Sequence, residues 1–245
     1  MTRGPLVLVG SGEFTSAMNE IDRAILDDLD LMKPKIAIVP TAAGLEDTPK
    51  AWIEKGLAHF SALGARAIGA RVLDRRDAED PKWSEAIADA DWIYFSGGKP
   101  GYLVETLAGT PFWSAVLARH RAGAVLAGAS AGAMMLGTRT FHFPDGFDDS
   151  GMPKRVVVRD ALGLLPGIFV APHFDALPGV VWRSWASVWP EGHRMLGIDE
   201  DTAMIERADG WSVHGRGRAL VFRSLDDHDV HPAGARFDGV GVLDS

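Results

Sequence analysis

The sequence contains no cysteine among its 245 residues, which rules out disulfides, thiolate nucleophiles and cysteine-type zinc sites. It is also poor in basic charge, because 25 Lys and Arg residues stand against 33 Asp and Glu, a formal net charge of −8. Nucleic acids and anionic membrane surfaces attract basic proteins, so this acidic balance argues against both as partners. Any nucleophile in this chain must therefore carry oxygen or nitrogen.

Long apolar runs are missing as well, since no stretch approaches the roughly 20 apolar residues that span a bilayer. The apolar run at residues 5–9 is too short for the core of a signal peptide and leads into glycines. The composition, 47% apolar and 24% charged, is typical of an ordinary globular protein. We expect a cytoplasmic protein formed by one domain over residues 1–245.

Short apolar runs alternate with amphipathic segments over the first half of the chain. The runs are PLVLVG, KIAIVP, ARAIGARVL, DWIYFSGG and AVLAGAS. This alternation is typical of βαβ units and predicts an α/β fold with a mostly parallel sheet flanked by helices. Farther along, the pattern predicts a loop or hairpin over 137–160, a strand at GIFVAPHF, a helix over 178–189 and further strands after it.

Residues 128–132 read Gly-Ala-Ser-Ala-Gly between a predicted strand and a predicted helix. This G-x-S-x-G pattern is typical of a nucleophile elbow, in which small neighbours allow a tight turn that exposes the Ser130 hydroxyl. The first amides of the following helix favour negative charge, so the Ala131 N–H is a candidate oxyanion donor. The alternative is a glycine-rich turn with a serine cap.

A second glycine pair, in Ser96-Gly97-Gly98-Lys99, ends the preceding predicted strand. Neighbouring parallel strands would bring this turn to the same carboxyl edge of the sheet as the serine, where ligand sites of open α/β sheets form. We favour Gly98 over Gly97 as the second oxyanion donor. A turn that leads into a helix without binding a ligand is the alternative.

A serine nucleophile needs a base, and a histidine base needs a carboxylate to orient it. His173 is favoured because it ends a predicted strand, after Pro172, where its side chain can reach the same edge, whereas His142 is the runner-up. The two histidines of HDVH, residues 228–231, are a weak metal signal that we interpret as an exposed loop. Candidate acids lie between the serine and the histidine at Asp145, Asp148 and Asp149, with Glu13 as a more distant choice.

Several segments, in this order and spacing, resemble the S51 family of serine peptidases, which includes dipeptidase E and cyanophycinase. They are GSGEF, IAIVPTAAG, YFSGG, GASAGAM, the PHF around His173, GIDEDTAMI and WSVHGRGRALVF. The resemblance implies a flavodoxin-like, three-layer fold related to class I glutamine amidotransferases. It also implies Ser130 as nucleophile, His173 as base, and the amides of Gly98 and Ala131 as the oxyanion hole. No metal or other cofactor is expected.

The interval between Ser130 and His173 resembles the cyanophycinase branch, and on that basis Asp148 is the first choice for the acid, with Asp145 and Asp149 kept open. Family members carry arginines after the histidine for acidic substrate groups, but Arg183 is the only arginine here before His193. Lys99 replaces a family Asn or Asp. Lys99 and Arg183 are therefore the candidate substrate-binding residues.

A helical stripe of tryptophans follows the histidine at Trp182, Trp185 and Trp189. Its spacing predicts a core-facing stripe, with an apolar substrate wall or a homodimer surface as the alternative. The whole pattern predicts a hydrolase that cleaves an amide bond in small peptides through an acyl-enzyme. A serine esterase of the α/β-hydrolase fold and a non-catalytic ligand-binding or regulatory protein on the same scaffold are the alternatives.

Overall fold

A computed structural model describes residues 3–47, 49–146, 148–149, 153–177, 179 and 188–241. The strands within these ranges are β1 (Leu6–Val9), β2 (Lys35–Val39), β3 (Arg66–Gly69), β4 (Trp92–Phe95), β5 (Val125–Ala129), β6 (Arg139–His142), β7 (Val157–Asp160), β8 (Ile168–Ala171), β9 (Arg194–Ile198), β10 (Thr202–Arg207), β11 (Gly210–Gly215), β12 (Arg218–Phe222), β13 (His228–Pro232) and β14 (Arg236–Phe237). The helices are α1 (Asn19–Leu29), α2 (Pro49–Ala62), α3 (Arg75–Glu79), α4 (Pro81–Ala86), α5 (Pro100–Leu107), α6 (Pro111–Arg121) and α7 (Ala131–Met134).

The main sheet has eight strands in the order β14-β11-β10-β1-β5-β4-β2-β3. The five strands from β1 to β3 in this order run parallel, and β10, β11 and β14 continue the sheet in antiparallel fashion. The α/β fold predicted from the alternating runs is confirmed. Because β1, β5 and β4 are neighbours, the turns after these strands meet at one carboxyl edge.

Apolar side chains on the central strands alternate between two cores, one on each face of the main sheet. On β1, Leu6 and Leu8 pack into one core, whereas Val7 and Val9 pack into the other. Successive side chains of a strand point to opposite faces, so a strand covered on both sides reads as a continuous apolar run. This burial makes the central strands a rigid support for the turns at their ends.

A second sheet of four strands, in the order β13-β12-β9-β8, packs beside the first. Its strands β8 and β9 are parallel, with Ala171 opposite Gly197, so both strands end at the same edge of this sheet. The segment 137–160 contains the predicted hairpin, formed by β6 and β7. Trp189 packs edge-on against Phe169 in the core of this region, at 5.2 Å between ring centroids.

Helix starts follow local rules of capping. The Thr110 hydroxyl accepts a hydrogen bond from Trp113 N–H at 3.2 Å, and Pro111 fills the first helical position of α6. Pro49 likewise begins α2. The predicted helix over 178–189, with Trp182 and Trp185, falls mostly outside the described residues. Among the helices that the structure does describe, none is long and apolar enough to cross a membrane.

Candidate active site

Ser130 occupies a sharp turn between β5 and α7, with φ of 51° and ψ of −114°. A positive φ is unfavourable for a residue with a side chain and is retained where the surroundings enforce it. Two glycines make the turn sterically feasible. A Cβ on Gly128 would overlap the carbonyl group of Gly132, and a Cβ on Gly132 would overlap the carbonyl oxygen of Phe95. The glycines of G-x-S-x-G are thus required by close backbone packing around the serine.

We expect Gly128→Ala to destabilise the fold by about 1–3 kcal/mol, the usual cost of inserting a methyl group into a filled space. Urea unfolding, compared with that of the wild type, measures the change. Gly241→Ala is the matched control, because a Cβ there would meet no atom within 4 Å. Equal unfolding midpoints for the two variants would contradict the packing argument.

His173 lies directly beside the serine. It is the second residue after β8, has φ of 53°, and its backbone N–H donates to the Gly10 carbonyl at 3.3 Å. Its Nε2 is 2.8 Å from the Ser130 Oγ, within hydrogen-bond distance. A neutral imidazole with Nε2 unprotonated can accept the hydroxyl proton, which is the geometry a general base requires. The structure therefore brings the predicted serine and histidine together.

Glu200 binds the other ring nitrogen of this histidine, with 2.6 Å between Nδ1 and Oε1. It lies two residues after β9, and because β9 is parallel to β8 the two side chains leave the sheet at the same edge. The backbone N–H of Glu200 donates to Asp175 Oδ1 at 2.8 Å, which fixes the turn. The side chains of His173 and Glu200 remain 38% and 42% exposed, so the site opens to solvent.

This contact corrects the predicted pairing of Asp148 with His173. Nδ1 of an imidazole carries a single N–H, and Glu200 already accepts it. Asp148 and Asp149 are exposed in the segment between β6 and β7. In the same segment Asp145 forms an ion pair with Arg155, whose guanidinium lowers the pKa of that carboxyl.

The sequence did contain a signal for Glu200. GIDEDTAMI places an acidic residue just after a strand, as PHF places the histidine, and parallel strands bring such residues to one edge. The prediction places the carboxylate between the serine and the histidine, whereas the one that contacts His173 follows it in the chain.

The other candidate residues take separate places. His142, the runner-up base, ends β6 and packs against Gly101 of α5, and burial lowers its pKa. The histidines of HDVH stack on phenylalanines, His228 on Phe222 and His231 on Phe237. Within the described residues, no three His, Asp or Glu side chains are grouped so as to hold a metal ion. Arg183, the second candidate substrate-binding residue, lies outside those residues.

The two predicted oxyanion donors are backbone amides in the turns that follow β4 and β5. Gly98 follows β4 with φ of 140°, and β4 pairs with β5 so that Phe95 is opposite Gly128. Ala131 is the first residue of α7. Neither the Gly98 N–H nor the Ala131 N–H hydrogen-bonds to another residue in the described part of the chain. Both amides thus remain candidates for donation to a substrate oxygen.

Lys99 and Glu13 border this turn. Lys99 is exposed directly after Gly98, and its backbone N–H donates to the Ala42 carbonyl at 2.8 Å. Glu13 is buried and accepts a hydrogen bond from Gly97 N–H at 2.8 Å. Burial raises the pKa of the Glu13 carboxyl, while the Gly97 bond and the nearby His173 act in the opposite direction.

Known proteins resemble this chain over most of its length. The model of peptidase family S51 matches residues 6–212. A cyanophycinase of Trichormus variabilis is 29% identical over 228 residues, which cover 90% of this chain and 74% of that protein. A cyanophycinase of Synechococcus elongatus is 31% identical over 177 residues, 70% of this chain and 53% of its own.

Solved structures show the same relationship. A crystal structure of a peptidase from an acI-B1 actinobacterium superimposes with a TM-score of 0.83 at 32% identity, covering 97% of each chain. A crystal structure of a putative peptidase E protein from Listeria monocytogenes gives a TM-score of 0.62 at 17% identity, over 87% of this chain and 99% of that one. The second similarity bears on the fold alone.

Proposed function

The chain belongs to peptidase family S51 and is a serine peptidase, and from this we propose that it hydrolyses an amide bond in small peptides through an acyl-enzyme on Ser130. His173 is the base in this proposal, and Glu200 takes the place of Asp148 as the acid. The observation that carries it is the continuous chain of contacts from Ser130 Oγ to His173 Nε2 at 2.8 Å and from His173 Nδ1 to Glu200 Oε1 at 2.6 Å.

In the acylation half-reaction, Ser130 Oγ attacks the carbonyl carbon of the peptide while its proton passes to His173 Nε2. The carbonyl oxygen becomes an oxyanion, to which the N–H groups of Gly98 and Ala131 donate. The imidazolium then protonates the leaving nitrogen, the C–N bond breaks, and the acyl group stays on the serine. Glu200 keeps Nδ1–H in place and stabilises the positive charge that the ring carries between these steps.

In the deacylation half-reaction a water molecule takes the place of the leaving amine. His173 accepts a proton from this water, and the oxygen attacks the acyl carbon. When the second tetrahedral intermediate collapses, the proton returns from Nε2 to the serine oxygen and the carboxylic acid leaves. The exposure of the His173 side chain, 38%, is consistent with direct entry of water.

One charge at the edge of the site supports a proposal for the substrate class. The only basic side chain in the glycine turn beside the proposed oxyanion hole is Lys99, exposed next to Gly98. We assign it to binding a carboxylate of the substrate, since an ammonium group attracts an anionic group near the scissile bond. Because two relatives are named cyanophycinase, cyanophycin belongs in the substrate panel as well.

The test is a panel of dipeptides and isopeptides, each with a free or an amidated carboxyl terminus, incubated with the purified protein. Release of amine is followed by a ninhydrin-type assay or mass spectrometry. We expect cleavage of peptides with a free carboxylate in preference to their amides. Carboxylic esters are assayed beside the panel, and cleavage of the esters alone, with no peptide hydrolysed, would replace the proposal with an esterase.

The proposed role of the base predicts a pH dependence. A protonated imidazole cannot accept the serine proton, so we expect kcat/KM to fall as the pH is lowered. The rate therefore rises with pH, because activity requires the deprotonated His173 imidazole. Rates of the best substrate between pH 5 and pH 9 measure the profile. A rate that does not change across this range would count against His173 as base, as would a His173→Gln variant with the wild-type profile.

A further inference from the structure

The last residue of β1 and the segment after it, residues 9–13, hydrogen-bond to each of the turns from which the proposed site is built. Successive groups along it accept backbone N–H donors: the Val9 carbonyl from Ser130 at 3.0 Å, the Gly10 carbonyl from His173 at 3.3 Å, the Ser11 carbonyl from Asp201 at 3.2 Å, and the Glu13 carboxyl from Gly97 at 2.8 Å. Three of these bonds use the backbone, and the fourth uses a side chain. Glu13 is therefore the position in this segment where the identity of the residue decides whether the contact forms.

Glu13 reaches across the strand that carries the nucleophile. The main sheet places β5 between β1 and β4, so a side chain following β1 must pass the end of β5 to meet the turn after β4. Glu13 is 6% exposed at this place. A Cβ on Gly97 would lie 3.1 Å from Glu13 Oε1 and 3.2 Å from Ser130 Cβ. Gly97 is thus held between the carboxyl group and the nucleophile.

The backbone around Glu13 is itself fixed in an unusual conformation. Gly12 has φ of 87° and Phe14 has φ of 62°. The Phe14 ring packs against Tyr94 at 5.0 Å and against Phe60 at 6.1 Å between centroids. A positive φ at a bulky residue persists where packing enforces it, and such positions cluster at functional sites. This packing directs the Glu13 side chain toward the glycine turn.

We propose that Glu13 is a positioning residue for the oxyanion hole: by accepting the Gly97 N–H it fixes the Gly97–Gly98 peptide so that the Gly98 N–H points at the substrate oxygen. The proposal rests on the proposed function, because it assumes that Gly98 donates to an oxyanion. Glycine at positions 97 and 98 gives the turn freedom that a neighbouring side chain must restrict. An oxyanion donor contributes through its preorganised direction, so its orientation bears directly on the rate.

What the turn needs from Glu13 is an acceptor oxygen at the right reach. Glutamine offers a carbonyl oxygen at the same distance from the backbone without the charge, whereas aspartate keeps the charge but is shorter by one methylene. The two variants therefore separate reach from charge. Alanine removes the acceptor and leaves the buried Gly97 N–H without its partner.

The experiment compares Glu13→Ala, Glu13→Gln and Glu13→Asp with the wild type, using the best substrate of the panel. Glu54→Ala is the matched control, since Glu54 is exposed on α2. We expect Glu13→Ala and Glu13→Asp to lower kcat by about 100-fold, the scale of a misplaced catalytic group. KM should change much less, because the lost interaction is made in the transition state. Glu13→Gln should recover most of kcat, and the control should match the wild type.

A merely structural role for Glu13 would lower melting temperatures without separating kcat from KM. Impairment of Glu13→Gln equal to that of Glu13→Asp would overturn the proposal, and so would wild-type kcat in Glu13→Ala. If the alanine variant does not fold, the comparison of glutamine with aspartate still decides. Failure of the proposed function is distinct, because it shows as a wild-type protein that hydrolyses no peptide.

Discussion

Replacing Ser130 with alanine is expected to lower kcat for peptide hydrolysis by about a thousandfold or more, as for nucleophiles of other serine peptidases. The substitution removes the oxygen that attacks the carbonyl carbon, and with it the group whose proton His173 accepts at 2.8 Å. Backbone amides of the oxyanion hole remain in place, so a small residual rate above that of free water is expected.

The fold should tolerate this change. Ser130 is only partly buried, and alanine can occupy the same backbone conformation with no added atoms. The lost hydrogen bond to His173 is expected to cost about 1 kcal/mol or less in unfolding free energy. A loss of activity without a loss of stability would therefore point to chemistry and not to unfolding.

Two measurements check the prediction for Ser130. The first is kcat on the peptide panel, and the second is covalent labelling by a fluorophosphonate, which reacts with activated serines. Ser61→Ala, on the exposed surface of α2, is the control for the loss of a serine hydroxyl. More than a tenth of wild-type turnover in Ser130→Ala, or undiminished labelling of that variant, would exclude Ser130 as the nucleophile.

The site residues that could be predicted from the sequence are those whose neighbouring residues form a pattern with a clear steric cause. Gly128 and Gly132 lie too close to neighbouring carbonyl groups to carry a side chain, so the elbow is visible in the sequence itself. His173 could be chosen because it follows a buried apolar strand. Short-range patterns of this kind also sufficed for the parallel half of the main sheet and for the hairpin of β6 and β7.

Glu200 could not be chosen in that way, because its contact with His173 depends on which strands pair within the second sheet. Asp145, Asp148 and Asp149 lie about as far from the histidine along the chain as Glu200 does, yet Glu200 makes the contact with Nδ1. The decisive fact is the parallel pairing of β8 with β9, a long-range contact that no local pattern encodes. The bond from Glu13 to Gly97, between residues 84 positions apart, is hidden for the same reason.

Glu200→Gln is expected to lower kcat by about 10²- to 10⁴-fold, within the range seen when a triad carboxylate becomes an amide. The amide has no charge to stabilise the imidazolium that forms when Ser130 gives up its proton. It can also present its NH₂ group to Nδ1, which favours the ring tautomer with the proton on Nε2, where it blocks acceptance of the serine proton. Because the Glu200 side chain is 42% exposed, water screens part of its charge, and the lower end of the range applies if screening dominates.

The aspartates of the loop between β6 and β7 provide matched controls, since each loses the same charge in a change to asparagine. We expect Asp145→Asn, Asp148→Asn and Asp149→Asn to retain kcat within about threefold of the wild type, since surface substitutions away from the reacting groups have small effects. Steady-state kinetics of the four variants at one pH above the acid limb decides between the carboxylates. A severe defect in Asp148→Asn together with a mild one in Glu200→Gln would transfer the role to Asp148, which would require the loop to rearrange when substrate binds. Four mild defects would mean that the imidazole keeps its orientation through the bond from its own backbone N–H to Gly10 and through contact with Ser130, without help from a carboxylate.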